Sequence, residues 1–132
     1  NHQDLHAMQL YPCAYSLTLN VSGNTLNAIL NQRSQDMLVA NSWNVTQYAV
    51  LVHLFAQVSG LAVGELVHVI ADAHIYDRHV PLVRELISRT AYPAPTLLLN
   101  PEIKDFYQFT IDDIELKDYQ AGEKMTRIPV AV

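Results

Sequence analysis

Tyr15, Leu17, Leu19 and Val21 alternate with Ser16, Thr18 and Asn20, the period-two pattern of a half-buried strand. Ser22-Gly23-Asn24 supplies turn chemistry, and Leu26, Ala28 and Leu30 then resume the alternation, which predicts a β-hairpin. Matching the apolar faces sets Val21 opposite Leu26, Leu19 opposite Ala28 and Leu17 opposite Leu30. Extended to the open end, that register puts Cys13 across from Ser34; a register tighter by one residue puts it across from Arg33. Either way Cys13 comes beside Gln32-Arg33-Ser34.

Further along, a helix is predicted from an Asn44 cap to about Ser59, with Gly60 placed to end it. It is apolar nearly all round; Thr46, His53 and Gln57 make only a narrow polar stripe, as in a helix from the middle of a domain. Glu65 to Tyr76 reads as one strand, with His68, Asp72, His74 and Tyr76 on one face and Val67, Val69, Ala71 and Ile75 on the other. Pro81 suits the first turn of a helix reaching about Thr90, with Val80, Val83 and Ile87 as its buried stripe and Glu85/Arg89 as a surface pair. Tyr92-Pro93-Ala94-Pro95 breaks that helix, and Thr96–Asn100 and Asp112–Leu116 are expected late strands. The predicted class is α/β (α+β): a mixed, largely antiparallel sheet packed against a long buried helix.

Composition narrows the function. The chain has 132 residues, half of them hydrophobic, which predicts a single domain with a real core. Eight Lys+Arg against thirteen Asp+Glu leave a net charge of −5, without the basic footprint of a nucleic-acid binder. Its single cysteine, Cys13, excludes an internal disulfide and most cysteine-rich zinc sites. The longest apolar stretch, Ala49 to Val63, is interrupted by His53, Gln57, Ser59 and Gly60, so no membrane span is expected. The six histidines show no His-x-x-x-His pair on a helix, and no metal site is expected. A start at Asn1 without methionine or signal-type segment reads as an excised piece of a longer protein.

Three clusters could carry chemistry. A free thiol is only about 3% thiolate at pH 7, and a nearby guanidinium raises that fraction, so Arg33 could activate Cys13. A lone cysteine is equally readable as a small buried hydrophobe. Arg33 and Ser34 could bind a phosphate through a bidentate fork and a hydroxyl, or Arg33 could simply pair with Asp36. His74 and Tyr76 share a strand face and could jointly bond a ligand hydroxyl, although a paired core histidine looks the same in sequence.

Taken in order, Tyr11-Pro12-Cys13, Gln32-Arg33-Ser34-Gln35-Asp36, Asn44-Val45-x-x-Tyr48, Asp72-Ala73-His74-Ile75-Tyr76 and Pro129-Val130-Ala131-Val132 form a pattern. With these spacings the chain resembles the C-terminal half of thymidylate synthase, essentially end to end. The resemblance implies a thymidylate synthase-like fold and reductive methylation of dUMP to dTMP, with 5,10-methylenetetrahydrofolate supplying carbon and hydride. It implies that Cys13 is the nucleophile, that Arg33 sits near the thiol and that Arg33 and Ser34 bind the dUMP phosphate. Asn44 would read the uracil edge, where dCMP-using relatives are expected to carry Asp, and His74 and Tyr76 would hold the ribose 3′-hydroxyl. Asp36 would serve the pterin and water network, and Ala131 and Val132 the folate side, the Val132 carboxylate helping to close the site.

A cytoplasmic homodimer is implied as well, with no metal, nucleic acid or membrane partner. Ala14 stands where many relatives have His, Ala40 where glycine is common, and Gln35 where Cys is frequent. The family's N-terminal half supplies a catalytic glutamate, folate-packing aromatics and further phosphate arginines, so an isolated piece is expected to be inactive, or nearly so, and to expose apolar surface. The alternatives are a pyrimidine-nucleotide hydroxymethylase and a non-catalytic nucleotide-binding or oligomerisation module. A Cys–His hydrolase would need His68 or His74 within about 3 Å of the Cys13 sulfur.

Overall fold

The structure, a computed structural model, describes residues 2–130. The hairpin forms from β1 (Ala14–Ser22) and β2 (Thr25–Gln32), antiparallel, with Val21, Leu19 and Leu17 opposite Leu26, Ala28 and Leu30 as the apolar matching requires. Strand β4 (Ala62–Ile70) joins the other edge of β2 in parallel, giving a three-stranded mixed sheet in the order β1-β2-β4. Two short pairs complete the strands: β3 (Gln35–Asp36) with β5 (Ala73–His74), parallel, and β6 (Thr96–Leu99) with β7 (Ile114–Lys117), antiparallel.

Helix α1 (Asn41–Val58) crosses one face of the sheet, packing on β2 and β4. Leu26 and Ala28 from the sheet meet Val52 and Ala56 from the helix, with Leu17, Phe55, Leu61 and Leu66 around them. Leu30, in the same inward series, has no exposed surface. Truncating Leu30 to alanine is expected to cost about 2–5 kcal/mol, read as a lowered midpoint in urea denaturation, because the cavity left behind cannot fully collapse.

The helix starts four residues earlier than its Asn44 cap would have it. Ala40 occupies the cap position without a side-chain bond. Asp36 works upstream of it, its Oδ1 accepting from the Leu38 and Val39 amides at 2.9 and 3.1 Å. At the other end Gly60 adopts φ +67, and its amide and that of Leu61 donate to the Gln57 and Ala56 carbonyls, a Schellman ending. The polar stripe has a use: Gln57 Nε2 donates to the Asn100 and Ile103 carbonyls at 2.8 and 2.9 Å, while burial pushes the His53 imidazole below its ordinary pKa. Only Val52 and Ala56 are fully buried, and Trp43 near the start is 77% exposed; the sheet covers one side of the helix, and Phe106, stacked on Phe55 with ring centroids 5.1 Å apart, with the 100–103 turn covers part of its C-terminal half.

Two other expectations need correction. The strand read as Glu65 to Tyr76 is two strands: β4 ends at Ile70, and after Ala71-Asp72 the chain pairs with β3 instead of β2. The cause is that β2 stops at Gln32, so a strand following it has no further ladder to join. The second helix, α2 (Val80–Ser88), has no fully buried residue; Val80 and Val83 are half-buried, but Ile87 is 75% exposed because α2 packs chiefly on the turn before it. The Glu85–Arg89 ion pair forms, at 2.6 Å.

Candidate functional site

The open end of the hairpin builds the site. A bulge between Ala14 and Ser16 spends one extra β1 residue, and the Arg33 amide then donates to the Cys13 carbonyl at 2.9 Å. Cys13 therefore lies across from Arg33, the tighter of the two registers, and not from Ser34. Its side chain is half-buried.

Arg33 does not pair with Asp36. Its guanidinium folds back along the approach to Cys13, Nε donating to the Pro12 carbonyl at 3.2 Å and Nη2 to that of Tyr11 at 2.8 Å. These bonds hold a positive fork beside the segment that carries the thiol and leave Nη1 unused among the described residues. Ser34 Oγ donates to Asp72 Oδ2 at 3.4 Å, and that same oxygen lies 3.3 Å from His74 Nδ1. The β3–β5 pairing makes this meeting possible, since Gln35 and Met37 amides donate to the Asp72 and His74 carbonyls. Tyr76 stands edge-on to His74 with ring centroids 5.1 Å apart.

Asn44 lies in the first turn of α1, where its Oδ1 accepts from Gln32 Nε2 at 3.3 Å. Gln32 in turn bonds the Ser34 carbonyl through Nε2 and His68 Nε2 through Oε1, and its amide also meets Gln35 Oε1. Because an amide oxygen only accepts, His68 carries its proton on Nε2. Neither imidazole is bonded to the Cys13 sulfur: His68 is spent on Gln32 and His74 on Asp72.

Gln32 and Gln35 carry no role by residue type alone, yet both are buried in the floor of the site. One signal was available. Gln32 continues the inward series Leu26, Ala28, Leu30, and an amide at such a position must find polar partners. Cys13, Arg33, Ser34, Asp36, Asn44, His74 and Tyr76 all line one cavity of about 210 Å³. A larger hollow of about 670 Å³ beside α2, bounded by Glu85, Arg89 and Tyr92, contains none of them. Ala131 and Val132 lie outside the described residues.

Thiol, guanidinium, hydroxyl and oriented amide thus share one concavity, which offers donors for an anion and a donor–acceptor pair for a hydrogen-bonding ring edge. Fold and site together define a mixed α/β protein with a thiol-centred polar pocket. The thymidylate synthase family profile matches residues 1–132, and the chain belongs to that family. It is 43% identical over 125 residues to a thymidylate synthase of Bacillus subtilis subsp. natto, covering 95% of this chain and 45% of that protein. Thymidylate synthase 1 of Bacillus amyloliquefaciens is 42% identical over 131 residues, 98% of this chain and 57% of the relative. Among solved structures, the thermostable thymidylate synthase A from Bacillus subtilis superposes with a TM-score of 0.88 at 42% identity, covering 95% of this chain and 45% of that one. The chain spans about half the length of these relatives. Among the described residues no helix is long and apolar enough to cross a membrane.

Proposed function

We propose that this chain is the cysteine-bearing, C-terminal portion of a thymidylate synthase catalytic domain, acting in the reductive methylation of dUMP to dTMP. The observation that carries the reading is the convergence of Cys13, Arg33, Ser34, Asn44, His74 and Tyr76 on a single cavity from four separate stretches of chain.

Each role follows from what the side chain can offer. The Cys13 thiolate adds to C6 of the pyrimidine, forming a C–S bond and moving the ring's electron pair to C5 as an enolate, which becomes the carbon nucleophile. Arg33, with Nη1 unused by its backbone bonds, and the Ser34 hydroxyl take the phosphate. Gln32 orients the Asn44 amide so that its donor and acceptor meet O4 and N3–H of uracil. His74 and Tyr76 hold the ribose hydroxyl. The co-substrate 5,10-methylenetetrahydrofolate supplies the carbon and the hydride. Asp36 suits its network, since Oδ1 is spent on the Leu38 and Val39 amides and Oδ2 is not.

A cavity of about 210 Å³ is smaller than the 300–1,000 Å³ usual for ligand sites. Walls from outside this chain, the catalytic glutamate and further phosphate arginines that the family's N-terminal half supplies, complete it in the whole enzyme. A second copy is the other partner: Ile29 on β2 lies beside Val67 on β4, and these and Val69 are 41–48% exposed on the sheet face away from α1.

Incubation of the full-length protein with 5-fluoro-dUMP and the folate is expected to leave a covalent adduct on the Cys13 peptide, seen by mass spectrometry. Reversible binding without an adduct would replace this reading with a non-catalytic nucleotide-binding module.

A further inference from the structure

Behind the pocket wall lies a histidine that this chemistry does not use. His79 ends the short helical turn Asp77–His79 that follows Tyr76, and it is 1% exposed. Its Nε2 meets the Pro129 carbonyl at 2.8 Å; a carbonyl only accepts, so Nε2 carries the proton. Nδ1 is buried without a hydrogen-bond partner among the described residues and faces Asp36 Oδ2 at 4.0 Å, too far for a direct hydrogen bond but close for a charge. The ring stands edge-on to Tyr76 with centroids 5.6 Å apart. Next to it, Arg78 Nη1 donates to the Val130 carbonyl at 2.7 Å.

Two adjacent side chains therefore grip two consecutive carbonyls of the C-terminal segment, and one of them also abuts two residues of the cavity. Between Lys117 and Val130 the chain forms no helix or strand, so no backbone ladder holds this stretch in place. A buried imidazole is costly unless its polar atoms are used, which makes His79 a poor choice for packing alone.

We propose that Arg78 and His79 are positioning residues that seat the C-terminal segment, and that His79 links this seat to Asp36 and Tyr76. The seat stands independently of the proposed function; the link to ligand rests on it. Asparagine presents its amide near the level of Nδ1 and glutamine near that of Nε2, so the two replacements separate the bonds.

Trypsin cleavage of the full-length protein at Arg127–Ile128, followed by mass spectrometry, reads release of the segment. Arg78→Ala and His79→Asn are expected to be cut at least fivefold faster than wild type, and His79→Gln within twofold of it. Equal rates in all four proteins overturn the seat. Added dUMP is expected to slow cleavage in wild type and to lose that protection in His79→Gln, which keeps the tail bond but not the approach to Asp36. Undiminished protection there overturns the link. If calorimetry shows no dUMP binding to wild type, the proposed function fails and the link with it, while the cleavage rates still decide the seat. Should the His79 variants fail to fold, Arg78→Ala, at an exposed position, decides both. Faster cleavage supports the seat, and a raised KM for nucleotide or folate at unchanged kcat supports the link; no change in either overturns it.

Discussion

Replacing Cys13 by alanine is expected to abolish the 5-fluoro-dUMP adduct and to lower turnover by about 10³-fold or more, ~4 kcal/mol of transition-state stabilisation. The other hydroxyl and amide groups in the cavity cannot substitute. Ser34 Oγ is bonded to Asp72, and a neutral hydroxyl adds poorly to an unactivated ring carbon. Nucleotide affinity, by contrast, is expected to survive the change. Arg33 is held by the backbone carbonyls of Tyr11 and Pro12, which alanine at position 13 leaves in place. A loss of binding equal to the loss of turnover would mean that the variant disturbed the hairpin end. Turnover within tenfold of wild type would remove Cys13 from the chemistry.

Asn44→Asp is expected to lower kcat/KM for dUMP by about 100-fold, ~2.7 kcal/mol, and to raise that for dCMP above the wild-type value. A carboxylate accepts at both oxygens, so it cannot donate to O4 of uracil but can take the amino proton of cytosine. The fold should tolerate it. Residue 44 lies in the first turn of α1, where the helix dipole favours negative charge, and Gln32 Nε2 already donates toward it. Competition assays with the two nucleotides decide the matter, and an unchanged preference would place base recognition elsewhere in the pocket.

The hairpin was legible because apolar residues at every second position can match across two strands in few ways, and Val21, Leu19 and Leu17 found their expected partners. The position of Cys13 was legible only to within one residue. Apolar matching ends at Leu17 and Leu30; beyond it Tyr15, Ala14 and Cys13 meet only the polar run Asn31-Gln32-Arg33-Ser34, which does not say where a bulge will fall. Helix α1 shows a different limit. Asn44 is a good cap by type, but Asp36, eight residues upstream, bonds the Leu38 and Val39 amides in a local turn, and the helix begins directly after it. The period-two run from Glu65 to Tyr76 is continuous in sequence, so its division at Ala71-Asp72 was invisible; it depends on where a neighbouring strand stops. The α2 stripe failed for a related reason. Amphipathic spacing shows which side of a helix is apolar, not whether anything covers it, and Ile87 remains exposed.

By itself the sequence determined the family, the hairpin and the residue types of the pocket, because side-chain periodicity and motif spacing are properties of the chain alone. Tertiary structure decided which of those residues face one another. It bent β1 so that Cys13 meets Arg33, turned the 71–74 segment from β2 to β3 so that Asp72 touches both Ser34 and His74, and drew Gln32 beneath Asn44. The physical reason is that all of these contacts but Asp72–His74 join residues twelve or more positions apart, where the choice among partners is made by ladder hydrogen bonds and buried polar groups that must all be satisfied together.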